Sequence, residues 1–286
     1  MKCITLRCEH ETMRPGPTKS RQVGAAAAFI DARLASGRVA FSLDELVEQT
    51  GLSPTAAKNQ LLRLGRQVVR VSPRQQFFLI VGPEHRTTGA PPAAWWLHDY
   101  LAWLQQPYYL ALQSAASVYD SNPQALQATQ VMTDGPRRSI AVGRLRIRFF
   151  VKRGIGKAST QPLPKAFAPL LVSAPETTAF DLVRYAPRIG GIGRAAETLV
   201  PLVPRLRPAQ LRHVLDAEDE AATAQRLGYI LEAVGQAKLA QTVRAWLPAR
   251  LPVVPLATSS PRQRDAVLNA RWRVLNNAGE STLHLP

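Results

Sequence analysis

Apolar residues recur at helical spacing in the segments that follow the polar first twenty residues. The segment 22–35 is predicted to be a helix, closed by the pair Ser36-Gly37. Ser42 then stands three residues before Glu45, the spacing of a capping box. The pattern therefore predicts a second helix that begins after Ser42, buries its leucines and stops at Gly51.

A third helix and a hairpin complete this unit. Ser53 is a favoured N-cap residue, and Pro54 takes the first helical position, where proline is tolerated. The runs VVRV (68–71) and QFFLIV (76–81) are rich in β-branched and aromatic residues, and SPRQ between them supplies the turn. This order of helices, glycine-containing turn and hairpin predicts a winged helix-turn-helix.

The third helix is predicted to have one basic, outward side. At 100° per residue, Ala57, Leu61 and Leu64 share the inward side. The outward side, with Lys58 on its flank, carries Thr55, Asn59, Arg63 and Arg66. No acidic residue occurs between Glu48 and Glu84.

Such a side suits a helix in the major groove, because Asn pairs with adenine and Arg with guanine. Ser53 would begin this helix, and Arg74 in the hairpin turn would reach a minor groove or a phosphate. The alternative is a winged helix used only for protein contact, with a solvated basic face.

The rest of the chain is predicted to be a larger mixed domain. Helices are expected at 95–104 and 108–119, where Trp and Tyr residues cluster either as a core or as a surface that stacks bases. Strands are expected at 127–133, 137–143 and 144–153, the last two as an antiparallel hairpin. The remaining expected elements are a strand in 169–175, a helix that Ser173 caps, helices at 191–203, 208–217, 221–234 and 237–247, and short extended segments near the end.

The most basic strand is RLRIRFFVKR, in which arginines alternate with apolar residues. Period-two alternation places Arg144, Arg146 and Arg148 on one face. Between residues 135 and 175 the chain has nine Lys or Arg, Lys152 among them, and no Asp or Glu. Such a strip can clamp phosphates or meet an acidic protein, and the alternative is a solvated sheet face.

Composition agrees with a basic globular protein that binds nucleic acid. The 286 residues carry 36 Lys+Arg against 20 Asp+Glu, a net charge of +16, and a GC-rich genome would also raise the arginine content. No segment resembles a membrane span or a signal peptide, so we expect a cytoplasmic protein. The predicted fold class is α+β, with a small antiparallel sheet and several helices after the winged helix. The predicted divisions are a disordered tail at 1–20, a DNA-binding domain at 21–82, a linker at 83–94 and a C-terminal domain at 95–286.

Catalytic and metal-binding patterns are weak. GGIG at 190–193 is too short for a dinucleotide fingerprint, and Glu176 and Asp181 do not share a helical face. Two incidental thiols at Cys3 and Cys8 are favoured over a zinc site with His10, and Met13 is a second possible start. We expect no enzyme, no metal and no cofactor.

In order along the chain, several segments resemble the AbiEi-type antitoxins of type IV toxin–antitoxin and abortive-infection phage-defence modules. These segments are PYYLALQSAASVYD, QATQVMTDGPRRSIAVGRLRIRF, VSAPETTAFDLVRYAPRIGGI, AQRLGYILEAVG and RWRVLNN. The resemblance implies a winged helix that binds inverted repeats in its own promoter as a repressor, and a C-terminal domain that carries antitoxicity. It implies a nucleotidyltransferase-like toxin, counteracted without a stable complex.

On this resemblance the recognition helix would be 53–66 and the wing 68–81. Ser173, Glu176, Thr178, Asp181 and Arg184 would match a family stretch, with capping and packing roles. We therefore expect double-stranded DNA as partner and no membrane. Two alternatives remain: a metal-dependent nuclease or nucleotide-transferring enzyme that needs Glu176 or Asp181, and a protein whose basic strip binds an acidic toxin directly.

Overall fold

The computed structural model describes residues 24–122, 126–163, 169–258 and 266–278, which form a mixed α+β fold. The tail at 1–20, with Cys3, Cys8, His10 and Met13, lies outside the described residues. Within the described ranges no helix is long and apolar enough to cross a membrane.

The N-terminal unit has the predicted helices and hairpin and one further strand. In chain order its elements are α1 (Ala25–Ala35), β1 (Ala40–Ser42), α2 (Leu43–Thr50), α3 (Pro54–Arg63), β2 (Val68–Arg70) and β3 (Phe77–Ile80). The extra strand β1 pairs antiparallel with β3, so the sheet order is β1-β3-β2. Phe29, Phe41, Leu46, Leu61 and Phe78 belong to the core between the helices and this sheet.

The predicted capping box of α2 forms only in part. The Ser42 hydroxyl accepts a hydrogen bond from the Glu45 backbone N–H at 3.1 Å, as a capping box requires. The Glu45 carboxylate, however, pairs with the Arg33 guanidinium of α1, and the Arg33 side chain is buried. The buried Arg33 charge needs a partner, so Glu45 joins the two helices instead.

The C-terminal region is built on a six-stranded sheet. Its strands are β4 (Tyr108–Leu110), β5 (Thr129–Thr133), β6 (Ile140–Val142), β7 (Leu145–Val151), β8 (Thr160–Pro162) and β9 (Leu171–Ser173), in the order β6-β7-β5-β4-β9-β8. The expectation of a small antiparallel sheet is wrong, because β5 pairs parallel with β7 and β4 with β9. The predicted β6–β7 hairpin is present, with Val142 opposite Leu145.

Helices cover both faces of this sheet. On one face lies α4 (Leu97–Trp103), whose core also takes in Phe77 and Leu79 of the N-terminal unit. On the other face pack α5 (Leu112–Val118), α6 (Pro175–Arg184), α7 (Gly191–Leu199), α8 (Pro208–Glu218), α9 (Ala221–Ala233) and α10 (Ala237–Trp246). A last sheet, in the order β10-β12-β11, joins β10 (Val254–Pro255), β11 (Val267–Asn269) and β12 (Val274–Asn276).

Two local predictions for this region are wrong. Residues 108–110, expected in a helix, form β4 in the middle of the sheet, where strands on both sides satisfy its backbone. Ser173 ends β9 and does not cap α6, whose N-cap is Ala174. The Ser173 hydroxyl instead lies 2.7 Å from the Thr178 hydroxyl, inside the core.

The residues predicted as a linker pack against the C-terminal region. Ala90 and Ala93 are buried in the core around α4. The Thr88 carbonyl accepts a hydrogen bond from the Arg144 backbone N–H at 2.7 Å. Gly89 and Gly143 both have positive φ, and a Cβ on Gly143 would lie 2.1 Å from the Thr88 carbonyl oxygen. Only glycine fits this crossing of two chain segments.

Candidate nucleic-acid interface

Helix α3 is fixed to its unit by its cap and by its inner side. The Ser53 hydroxyl accepts a hydrogen bond from the Ala56 backbone N–H at 3.2 Å, and Pro54 occupies the first turn. Ala57 and Leu61 are buried, while Leu64 is half-buried. The helical phase calculated from the sequence therefore places the inner side correctly.

The opposite side of α3 is exposed and basic. Five of the predicted DNA-contacting residues are solvent-exposed on α3 and the turn behind it: Thr55, Lys58, Asn59, Arg63 and Arg66. They combine side chains that hydrogen-bond base edges with cations that attract phosphates. This surface has the chemistry of a helix that reads a groove.

Leu62 is a residue of this surface that the sequence reasoning missed. Its side chain is 81% exposed although it is a large apolar group. It borders a groove of about 220 Å³ between α3 and the hairpin, together with Lys58, Gly65 and Arg70. An exposed apolar side chain on such a face can contact a thymine methyl group. The helical phase could have identified Leu62 from the sequence. At 100° per residue, position 62 lies about 140° from Ala57, which places it away from the inward side.

The hairpin turn is held against the C-terminal region. The Tyr100 hydroxyl of α4 donates a hydrogen bond to Gln75 Oε1 at 2.5 Å. The ring of Phe77 meets the ring of Tyr100 edge-on at 5.3 Å between centroids. The exposed Arg74 therefore projects from a turn whose position the packing fixes.

Two further arginines lie close to Arg74. A cavity of about 450 Å³ lies between the hairpin turn and the segment before β6, and Arg74, Arg137 and Arg138 all line it. The basic surface of the hairpin thus continues into the C-terminal region.

The arginines of β7 and of the turn before it follow the predicted alternation. Arg144, Arg146 and Arg148 are exposed, while Ile147 between them is buried. The Arg148 guanidinium also lies over the Phe150 ring, 5.4 Å from its centroid. Arg146 and Arg148, with Arg194 of α7, line a cavity of about 630 Å³ that does not include Arg144.

Lys152 departs from this strip although it is on the same side of the strand. It is 2% exposed, and its ammonium lies 2.9 Å from Asp181 Oδ1 and in contact with the Glu218 carboxylate. The Tyr109 hydroxyl donates to Asp181 Oδ2 at 2.7 Å. The expectation that Lys152 belongs to a phosphate-binding strip is wrong, because α6 and α8 cover this end of the strand with acids. Lys165, another of the nine basic residues predicted in this strip, lies outside the described residues.

Burial shapes the proton affinities in this ion cluster. It raises the pKa of Glu218 above the ordinary value, with Lys152 opposing the shift. It also holds the pKa of the Tyr109 hydroxyl well above its usual range, and Asp181 reinforces the effect. The Arg184 guanidinium donates to Glu218 Oε2 at 3.0 Å, so the cluster reaches the surface through an arginine.

The carboxylates considered for a nuclease site do not converge. The Glu176 carboxylate accepts a hydrogen bond from the Arg207 backbone N–H at 2.8 Å, while Asp181 binds Lys152 and Tyr109. Asp134 accepts a hydrogen bond from the Gln106 side chain near the surface. Across the described ranges, no group of three or more His, Cys, Asp and Glu is placed to hold a metal ion.

Comparison with known proteins identifies the C-terminal region. Residues 109–233 match the family model of the AbiEi antitoxin C-terminal domain. This match confirms the resemblance to the AbiEi-type antitoxins and supports an antitoxin role. The fold is similar to that of the RV2827C protein from Mycobacterium tuberculosis, with a TM-score of 0.66 at 18% identity over 88% of this chain and 91% of that chain. None of the curated proteins matches the chain in sequence.

Proposed function

We propose that this chain, whose residues 109–233 match the C-terminal domain of the AbiEi-type antitoxins, is both an antitoxin and a DNA-binding repressor of its own operon. Residues 21–82 act as a winged helix-turn-helix, with α3 in the major groove and the β2–β3 hairpin as the wing. The protein works in the cytoplasm as the antitoxin of a type IV module.

The exposed side of α3 supports this proposal most directly. Thr55, Asn59 and Arg63 project from a helix whose other side is buried, and Lys58 and Leu62 flank them. A helix end of this kind needs to be positioned rigidly to distinguish bases. The serine cap, the proline in the first turn and the inner apolar residues supply that rigidity.

The wing and the C-terminal strand extend the footprint. Arg74 reaches a minor groove or a phosphate, with Arg137 and Arg138 beside it. Arg144, Arg146 and Arg148 add contacts to the phosphate backbone, which position a protein without reading sequence. Two copies occupy inverted repeats in the promoter, because a protein that reads a half-site binds a palindrome in pairs.

The antitoxin role follows from the family of the C-terminal region. The protein counteracts a nucleotidyltransferase-like toxin, and it does so without a stable complex. Separate surfaces would then serve repression and antitoxicity, so that either activity can be lost alone.

A gel-shift titration against the DNA upstream of the gene tests the repressor role. We expect specific binding by the wild-type protein and its loss in Asn59→Ala/Arg63→Ala, since a good side-chain pair to a base is worth about 1–3 kcal/mol. Two lost pairs weaken specific binding by roughly a hundredfold, because about 1.4 kcal/mol is a factor of ten. Circular dichroism of both proteins checks that α3 remains folded.

Arg250→Ala is the matched control, because Arg250 is exposed in the C-terminal region and its removal also takes away one positive charge. It should leave specific binding unchanged. Equal loss in the control and the double variant would mean that only net charge matters. Absence of specific binding by folded wild-type protein would refute the repressor role and make the winged helix a protein-contact unit.

A further inference from the structure

The cavity beside β7 is built from three strands and two helices of the C-terminal region. It measures about 630 Å³, within the usual size of small-molecule sites. Strands β5, β6 and β7 form its floor, and the start of α7 forms one side. Its principal polar lining residues are Gln113, Gln130, Arg146, Arg148 and Arg194.

Arginines supply the charge that lines this cavity. Among the described residues, its lining includes three arginines and neither Asp nor Glu. Within the described part of the chain, Arg146 donates to the backbone carbonyls of Gly143 and Leu145, at 2.7 and 2.9 Å. Arg194 also pairs with Glu197 at 3.3 Å, but the Glu197 side chain is more than half exposed, so solvent weakens the pair. Three cations gathered in one concavity repel each other, and a bound anion relieves that repulsion.

A buried amide adds a second observation. Gln113 is only 6% exposed, and it lines the cavity. Its Oε1 accepts from Gln130 Nε2 at 3.0 Å, and its backbone N–H donates to Gln130 Oε1 at 2.9 Å. These two bonds hold the Gln113 side chain in place at the cavity wall, where its Nε2 can donate to a ligand.

The start of α7 contributes backbone donors. The helix runs over Gly191–Leu199 and has no acid in its first turn. Gly190 and Gly191 enter it with φ of 106° and 92°, and Gly190 lines the cavity. The first N–H groups of a helix have no partner within the helix, and the dipole there favours negative charge.

From these features we propose that the cavity is a binding site for an organic phosphate of nucleotide size. The phosphate groups meet the guanidinium groups of Arg146, Arg148 and Arg194, while Gln113 Nε2 and the start of α7 add neutral donors. Arginine suits this task because its planar fork can bind two phosphate oxygens at once. The cavity also has apolar lining, including Leu126 and Ile189, that can contact the organic part.

This inference does not depend on promoter binding. Arg144, on the open strip, lies outside the cavity lining and is the better contact for a DNA backbone. A free nucleotide fits a concavity with a floor and a wall, whereas the backbone of a duplex passes over an open surface. Arg146 and Arg148 belong both to the proposed DNA footprint and to this cavity. Variants of α3, which does not line the cavity, and of Arg194, which lies outside the proposed footprint, therefore separate operator binding from nucleotide binding.

Isothermal titration calorimetry of the full chain tests the site with ATP, GTP, CTP, UTP, inorganic triphosphate and adenosine as probes. We expect at least one nucleotide to bind, more tightly than adenosine, which lacks phosphate. Arg148→Gln/Arg194→Gln should weaken that binding by about tenfold or more, since hydrogen bonds to charged groups are the strong ones. Arg250→Gln, which changes an exposed arginine in the same region, should bind like the wild type. Circular dichroism of each variant reports whether it is folded.

Each outcome has a definite meaning. The recognition-helix variant Asn59→Ala/Arg63→Ala should keep nucleotide binding, whether or not the protein proves to be a repressor. Binding of inorganic triphosphate as tight as that of every nucleotide would show an inorganic phosphate site and contradict the organic ligand. No binding by folded wild-type protein would overturn the proposal. Nucleotide binding that is unchanged in folded Arg148→Gln/Arg194→Gln would also overturn the proposal. Displacement of every probe by non-specific duplex DNA would overturn it as well and would assign these arginines to the DNA backbone.

Discussion

Helix α3 and strand β7 each contain two basic residues and no acid, and they present their charges in different ways. The outward side of α3 is exposed from Thr55 to Arg63 and stands out from its unit. The charged side of β7 is exposed at Arg144 and passes a cavity at Arg148. At Lys152 the same side is buried beneath α6 and α8.

The difference teaches how far a charge pattern can be interpreted. A surface helix has one buried side along its whole length, so a single phase describes it. A strand in a covered sheet keeps its alternation while the layer above it changes. Side chains on one face of a strand can therefore face solvent, a cavity or buried acids at positions only a few residues apart.

The largest expected effect contrasts the two ends of β7. Lys152→Met leaves the buried Asp181 without its cation and Glu218 with Arg184 alone, and breaking a buried pair in this way costs about 3–5 kcal/mol. Arg144→Met changes an exposed position on the same side and should alter the free energy of unfolding by no more than about 0.5 kcal/mol. Urea unfolding followed by circular dichroism measures both. Similar losses for the two variants would contradict the burial contrast.

The next effect separates base recognition from phosphate contact. Arg63→Ala should lower specific binding by about 1–3 kcal/mol while leaving non-specific binding nearly unchanged. Arg144→Ala should weaken specific and non-specific binding alike and reduce the slope of log K against log salt by about 1. Fluorescence anisotropy with operator and scrambled duplexes at several salt concentrations distinguishes them. If both variants lose only salt-dependent affinity, α3 does not read bases.

The smallest effect is a pH dependence within the buried cluster. Burial raises the pKa of Glu218 in the folded protein above the ordinary glutamate value of 4.5. The folded protein therefore takes up this proton before the unfolded chain does, and the gain in stability is lost again as pH rises through the folded pKa. Glu218→Gln cannot titrate there. We expect the wild type to gain stability relative to Glu218→Gln as the pH falls from 7 towards 4.5.

The measurement is a series of urea unfolding curves across that pH range. Glu197→Gln is the control, because Glu197 is exposed and its 3.3 Å ion pair with Arg194 is weakened by solvent. Its stability difference from the wild type should vary less with pH. Parallel pH curves for the wild type and Glu218→Gln would contradict a raised pKa at Glu218.

Local rules predicted much of the fold. The caps at Ser53 and Gly51, the helical phase of α3, the hairpin turn at 72–75 and the helices from α7 to α10 all depend on neighbouring residues. Three features could not be found in this way, because tertiary pairing decides them. Residues 108–110 are a strand because β5 and β9 lie on both sides, Ser173 is bound by Thr178, and Lys152 meets acids from two distant helices.

The candidate site was predictable to the same extent. The outward residues of α3 followed from phase alone, and Leu62 could have been found in the same way. The cavity at Arg146 and Arg148 could not, since Arg194 and Gln113 come to it from different helices. Only the folded sheet brings these three elements together.

The apolar core around α4 has a consequence for how such proteins can be recombined. Phe77 and Leu79 of the N-terminal unit share that core with Trp96 and Leu101, and Tyr100 holds the hairpin turn. The N-terminal unit of another protein therefore cannot be grafted onto this chain by cutting within residues 83–94. A working hybrid would have to carry α4 together with the hairpin, or redesign their contact surface as a matched pair.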